Sequence, residues 1–388
     1  MKALSRITER FTESVIREMT RISDSLGGYN LSQGFPDFDC SPEIKEAAIN
    51  AILNNNNQYP VTFGEPELRE AICRKAFSYN KIKCDPATDI TVTCGATEAM
   101  IASLKAIINP GDEIIIFEPF YENYGPDAIL SGATPRYVTL QAPDWNYDPE
   151  DLKKAFNKKT KAIIINTPNN PTGKVFSYAE LKEIAELCIQ YDTYAITDEI
   201  YEHIIYDGTI HISLASIPGM EERTITINSI SKTYAVTGWR IGWAIASPDI
   251  TSRIRKIHDF LTVGAPTPFQ FAAVAALGFP PRYYVNLQER YFIARKILFD
   301  ALTESGFLPY LPKGSYYIMA DYSLLKSSVK SENDYGFSKN LIIKTGIATV
   351  PGSSFYSDKT SSMNVRFAFC KKAETLEIAR ARLLGLKK

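Results

Sequence analysis

Six short aliphatic and β-branched runs, separated by amphipathic stretches, constrain this chain more than any other feature. They are ITVTC at 90–94, EIIIF at 113–117, KAIIIN at 161–166, YAIT at 194–197, TITIN at 224–228 and GWAIA at 242–246. Runs with little polar alternation are strands buried on both faces, and strands that alternate with helical segments build a largely parallel sheet covered by helices. Helices are expected over 97–108 and 177–190, the latter opening with Ser177 and Glu180 at the spacing of a capping box. The expected core is therefore α/β and doubly wound.

From about residue 285 the pattern changes. A long helix is expected over Val285–Ser305, then GSYYIMADY, a helix near 334–345, short strands and a final helix from about 373. The first forty residues lack strand–helix alternation. The expectation is a large domain over 41–284 with a mostly parallel central sheet, and a smaller α+β domain built from both chain ends, 1–40 and 285–388. A chain of 388 residues with 45% hydrophobic content is long enough for that pair.

The formal net charge of −1 leaves no basic excess to neutralise a run of phosphates or an anionic bilayer. No apolar run approaches the roughly 18 residues of a membrane span, and the opening MKALSRITERFTESVIREMT is too charged for a signal segment. No nucleic-acid or membrane partner is expected, and a cytoplasmic location is. The six cysteines are scattered without a CxxC pair, and the three histidines do not complete a ligand set, so the cysteines read as reduced packing residues and no metal is expected.

The chemistry gathers at strand ends, where ligands of a doubly wound sheet bind. SISKTYAVTGWRIGW puts Lys232 directly after a strand, flanked by Ser229, Ser231 and Arg240. A lysine is usually a solvated charge, but an apolar strand before it and a Gly-Trp-Arg turn after it argue for a lined crevice, where a desolvated amine attacks carbonyls. YAITDEIYEH puts Asp198 at a strand end and Tyr201 three residues on. Asp198 either caps a helix or holds a pyridinium nitrogen protonated, with Tyr201 donating to a ring phenolate. NTPNNPTGKVF is either a surface turn or an amide donor, Asn170, in a shaped loop; Asn170–Pro171 and Glu118–Pro119 are candidate cis bonds. In ITVTCGATEAM, Gly95, Ala96 and Thr97 would open backbone N–H groups toward an anion at a helix start. Tyr121 in EPFYENY is either a core aromatic or a ring that stacks on a planar ligand. Arg366 in NVRFAFCK requires a carboxylate, from a salt bridge or from a ligand clamped bidentately.

Together LSQGFPDFD, NQYPVTFGEPELREAI, NTPNNPTGKVF, ITDEIYEHIIYDG, SISKTYAVTGWRIGW, PKGSYYIMADY and VRFAFCK resemble the class I and II aminotransferases of fold type I, and more narrowly the kynurenine, glutamine-phenylpyruvate and methionine aminotransferase group. The resemblance spans nearly the whole chain. It implies pyridoxal 5'-phosphate as cofactor, Lys232 as the Schiff-base lysine, Asp198 as the pyridinium partner, and Tyr201 and Asn170 as ring-oxygen donors. It further implies Tyr121 as the stacking aromatic, and Gly95, Ala96, Thr97, Ser229, Ser231 and Arg240 as the phosphate cradle. Tyr59 corresponds to a tyrosine that reaches the neighbouring subunit's phosphate, which implies a homodimer. Arg366 corresponds to the arginine for the α-carboxylate, assisted by Asn170 and the backbone at Gly34.

The implied reaction moves an α-amino group from an aromatic, glutamine-type or methionine-type amino acid to a 2-oxo acid in ping-pong fashion, with Lys232 also carrying the proton. Val263 and Gly264 stand where animal kynurenine enzymes of the group carry aromatic and histidine side chains, which counts against kynurenine. The alternatives are a carbon–sulfur β-lyase working on cysteine conjugates and an aspartate-type aminotransferase. No GxGxxG motif supports a nicotinamide enzyme.

Overall fold

The structure is a computed structural model and describes residues 2–359 and 362–387. A two-residue strand, β1 (Tyr29–Asn30), precedes the central sheet. That sheet comprises β2 (Ile90–Thr93), β3 (Glu113–Glu118), β4 (Thr134–Thr139), β5 (Thr160–Asn166), β6 (Tyr194–Asp198), β7 (Thr224–Ser229) and β8 (Gly242–Ile245), in the order β2-β8-β7-β6-β5-β3-β4. Only β8 runs against the others. Every residue of β3, β7 and β8 is buried, as strands covered on both faces must be, while the edge strand β4 alternates.

Helices cover the sheet where expected, at Ala96–Ile107 and Tyr178–Gln190. The capping box forms: Ser177 Oγ accepts from Glu180 N at 3.3 Å, and Glu180 Oε2 accepts from Ser177 N at 2.8 Å. The long helix runs Pro281–Ser305 and so begins before Val285, because a proline is favoured in a first turn, where its missing N–H costs nothing. Glu118–Pro119 and Asn170–Pro171 are both cis, as are Ala142–Pro143 and Thr167–Pro168.

The C-terminal portion adds β9 (Leu308–Pro309), β10 (Tyr317–Asp321), β11 (Ile347–Ala348), β12 (Val350–Pro351) and β13 (Asn364–Ala368). Four of these form an antiparallel sheet, β12-β13-β10-β9, and β11 pairs in parallel with β1. Met19 of helix Val15–Ser25 packs with Ile342 and Ala348, so the N-terminal segment shares a small core with the C-terminal elements. Among the described residues no helix is long and apolar enough to cross a membrane. For function, the consequence is geometric: β2, β3, β5, β6 and β7 run in one direction, so Cys94, Tyr121, Asn170, Asp198 and Lys232 all follow or end strands at the same edge of the sheet.

Candidate active site

A cavity of about 750 Å³ opens at that edge. Its wall includes Gly34, Ala96, Thr97, Tyr121, Asn170, Asp198, Tyr201, Ser231, Lys232, Arg240 and Arg366. Lys232 follows β7 by three residues and sends Nζ to the carbonyl oxygen of Gly34 at 3.1 Å, the same oxygen that accepts from Tyr316 Oη at 2.9 Å. Burial above all lowers the ammonium to about 8; Cys370 and Asp198 oppose it, and Arg240 and Arg366 add to it. That brings an amine within reach of its nucleophilic form near neutrality. Gly34 has to be glycine, since a Cβ there would lie 1.8 Å from Tyr317 Oη.

Asp198 ends β6. Burial raises its carboxyl, opposed by Tyr124 Oη, which donates to Oδ2 at 2.7 Å, and by Ile200 N, which donates to Oδ1 at 3.3 Å. Two donors aim the carboxylate, and a cationic partner would offset its desolvation. The NTPNNPTG loop is tied to the same strand end: Asn166 Nδ2 donates to the Asp198 carbonyl at 2.9 Å, and Asn166 Oδ1 accepts from Asn170 N at 2.7 Å. Asn169 Oδ1 accepts from both N and Oγ1 of Thr172, folding the loop on itself. Asn170 Oδ1 then accepts from Arg366 Nη1 at 2.7 Å, which leaves its amide N–H₂ for another acceptor. Tyr201 Oη lies 3.1 Å from Tyr317 Oη, and Tyr121 meets Tyr124 edge-on with centroids 5.7 Å apart.

The two arginines are the most telling residues. Arg366 is fully buried, yet among the described residues no carboxylate comes within ion-pair distance; Nη1 is held by Asn170, Nη2 by the Ser32 carbonyl, and Nε has no partner. The guanidinium stacks 4.2 Å above the Tyr317 ring. Arg240 likewise bonds, among the described residues, only carbonyl oxygens, those of Thr237 at 3.1 Å and Cys94 at 3.3 Å. It crosses directly over Gly95, whose φ is +81° and where an added Cβ would sit 2.2 Å from Arg240 Nη2. Gly242 permits the same close passage, a Cβ there falling 2.5 Å from the Gly95 carbonyl carbon.

Not every residue expected at the site meets there. Ser229 lies behind the wall, buried, with its Oγ accepting from Ser231 N at 3.2 Å; Gly95 lies within the turn between the lining residues Cys94 and Ala96; Tyr59 is 85% exposed and away from this cavity. Tyr124, Tyr316, Tyr317, Ser32 and Glu122 were missed by sequence reasoning. The available signal was the segments that contain them: EPFYENY after a strand end for Glu122 and Tyr124, and LSQGFPDFD and PKGSYYIMADY for Ser32, Tyr316 and Tyr317. Glu122 accepts from Ser14 Oγ at 2.5 Å and Ile16 N at 3.3 Å, so the N-terminal segment closes one side of the cavity.

The residues fit a phosphorylated, ring-bearing carbonyl compound. Ser231 Oγ is buried without a partner, the N–H groups of Ala96 and Thr97 open a helix, and Arg240 stands beside them. Asp198 and Tyr201 can hold the two polar edges of a ring, and Lys232 can attack its carbonyl.

The chain is similar to known proteins over nearly its whole length. The family model for aminotransferase class I and II matches residues 27–383. Human kynurenine–oxoglutarate transaminase 3 is 36% identical over 96% of this chain and 87% of its own length. Methionine aminotransferase of Escherichia coli is 35% identical over 96% of each. The solved structure of N-succinyldiaminopimelate aminotransferase from Mycobacterium tuberculosis superimposes with a TM-score of 0.94 at 36% identity, covering 99% of this chain and 100% of that one.

Proposed function

The chain belongs to the class I and II aminotransferase family, with the fold type I architecture, and on that premise we propose that it works with pyridoxal 5'-phosphate held covalently by Lys232. The observation that carries the reading is three cations, Lys232, Arg240 and Arg366, lining one cavity without a carboxylate in ion-pair reach among the described residues. An unpaired charge withdrawn from water is costly; Arg366 is fully buried and Lys232 and Arg240 are partly so, and a ligand with anionic groups would satisfy all three. Arg240, Ser231 and the N–H groups of Ala96 and Thr97 take the phosphate, with Ser229 holding Ser231 in place and Gly95 letting the helix start approach. Arg366, with Asn170, takes the α-carboxylate of the amino acid.

Bound there, pyridoxal phosphate supplies an aldehyde to which amines attach and a ring that draws electrons from the substrate α-carbon. Asp198 would keep a proton on the ring nitrogen, Tyr201 and the Asn170 amide would donate to the ring oxygen, and Tyr121 would offer its ring as the stacking face. Lys232 Nζ would be the base that takes the substrate α-proton and holds it for return, so that one amino acid could leave as a 2-oxo acid and a second 2-oxo acid could take up the amino group in turn. Gly34 contributes the backbone that closes over the substrate.

The amino donors in this reading are of the aromatic, glutamine or methionine type, and Ile16, Ile101 and Leu261 on the remaining wall support the aromatic and methionine side chains among them. The reading also includes a homodimer in which the exposed Tyr59 completes the partner's phosphate site, a large domain over 41–284 with a small one from 1–40 and 285–388, and a cytoplasmic setting. The test is reconstitution with pyridoxal phosphate followed by borohydride reduction and peptide mass mapping, with Lys232→Ala in parallel. A cofactor adduct on Lys232 is expected, together with donor-dependent loss of its visible band with glutamine, methionine and aromatic amino acids. If the wild type forms no adduct at Lys232, the reading fails.

A further inference from the structure

Scattered in sequence, two of the six cysteines meet in space. Cys73 Sγ lies 2.9 Å from Cys84 Sγ and 3.2 Å from the Cys84 carbonyl oxygen, and among the described residues no other two thiols are in contact. Cys73 belongs to helix Pro66–Lys75; Cys84 belongs to the segment that leads into β2. A disulfide bond is about 2.05 Å long, so the sulfurs need approach by less than about 1 Å. Both side chains are partly exposed, and Cys84 borders a shallow surface hollow with Lys83, Asp85, Pro86 and Asp89, which gives a small oxidant access.

We propose that Cys73 and Cys84 form a reversible intramolecular disulfide under a peroxide oxidant, making this pair a redox modification site outside the cavity. The Cys73 thiolate attacks the peroxide O–O bond, giving Cys73 sulfenic acid and one water. The Cys84 sulfur then attacks the sulfenic sulfur and releases a second water, so that two thiols and one hydrogen peroxide become one disulfide and two waters. Either thiol can donate across the contact; with Cys84 as the donor, the contact holds the Cys73 thiol below its ordinary value, while the same contact and burial raise Cys84, which makes Cys73 the attacking sulfur. Asp85 and Asp89 oppose thiolate formation at Cys73, and Arg69 favours it.

The bond would clamp ground already pinned by Arg69, from the same helix, which donates through Nε to the Gly64 carbonyl at 3.0 Å and through Nη1 to the Pro86 carbonyl. The disulfide closes a short loop, so it restricts the unfolded chain more than it rearranges the folded one.

The test uses the full-length reduced protein, freed of reductant and treated with a small excess of hydrogen peroxide. Expected are an intact mass lower by two hydrogens, a Cys73–Cys84 linked peptide, reversal by dithiothreitol, and a Tm a few degrees higher in the oxidised form. Cys84→Ser should abolish the two-hydrogen loss. An unchanged mass, oxygen addition at either cysteine without a link, or a link to a second chain would each overturn the proposal. The readout is mass and melting, with no cofactor or substrate involved, so it stands apart from the assignment of the cavity.

Discussion

At the scale of single residues, the amine of Lys232 is set by where it is buried. Its value near 8 makes pH a direct probe: below that value the folded protein holds the ammonium, and above it the free amine that attacks a carbonyl. The rate at which the cofactor-free protein captures pyridoxal phosphate should therefore rise through a midpoint near 8, followed as growth of the visible band after rapid mixing; a flat profile from pH 7 to 9 would contradict this. Arg366→Lys keeps a charge but loses the two-pronged donor. Disrupting one side of a buried charge pair costs ~2 kcal/mol or more, so kcat/KM for amino donors should fall ~30-fold or further while cofactor affinity stays near wild type. Tyr124→Phe removes a hydrogen bond to the Asp198 carboxylate, worth ~1.5–3 kcal/mol. Fluorescence titration should show the opposite pattern there: cofactor binding weaker by ~10-fold or more, with the residual activity recovered at high cofactor.

At the scale of elements, the turn after β6 is held from behind as firmly as it faces the cavity. Asp198 and Tyr201 point one way, and Glu199 and Glu202 enter a buried network with Lys75, Asn80, His211 and Ser213. Burial pushes the Glu202 carboxyl up, but Lys75 above all reverses this and brings it to about 2. His203 Nε2 lies 3.5 Å from Glu202, but burial holds the imidazole down to about 3, so at neutral pH Lys75 and not His203 supplies the positive charge beside Glu202. Lys75→Met strands a buried carboxylate, and denaturant unfolding should show a loss of ~3–5 kcal/mol, whereas Lys75→Met combined with Glu202→Gln should lose less. The sign with pH follows from the depressed value: the Glu202 contribution is complete above its ordinary 4.5 and disappears as pH falls toward about 2, so Lys75→Met should flatten the acid limb of the stability profile. None of this network was legible in the sequence. DEIYEH showed acidic residues beside a strand end, but pairing Glu202 with a helix 127 positions earlier is a product of packing.

At the scale of the whole molecule, Tyr59 and Phe260, 85% and 91% exposed, are large aromatic side chains held in solvent by a single chain. The homodimer reading makes a definite prediction. Mixing Lys232→Ala with Tyr59→Phe subunits should restore one wild-type site per hybrid dimer, so activity should rise above that of either variant alone; if the mixture only averages the two, Tyr59 does not serve a neighbour's site. What the sequence by itself determined is what local chemistry determines: two-sided apolar runs become buried strands, Ser177 and Glu180 start a helix, and NNPTG and SISKTY sit where strands end. Those signals lie within a few neighbouring residues, and so they survive reading one window at a time. Tertiary structure alone decided that β8 runs against its neighbours, that Gly34 reaches Lys232 across 198 positions, that Arg366 finds Asn170 across 196 and, among the described residues, no carboxylate at ion-pair distance, and that Cys73 meets Cys84. These contacts join segments whose local patterns say nothing of each other. They exist because helices and strands must bury their apolar faces together, and only the packed result shows which polar groups are left facing one cavity.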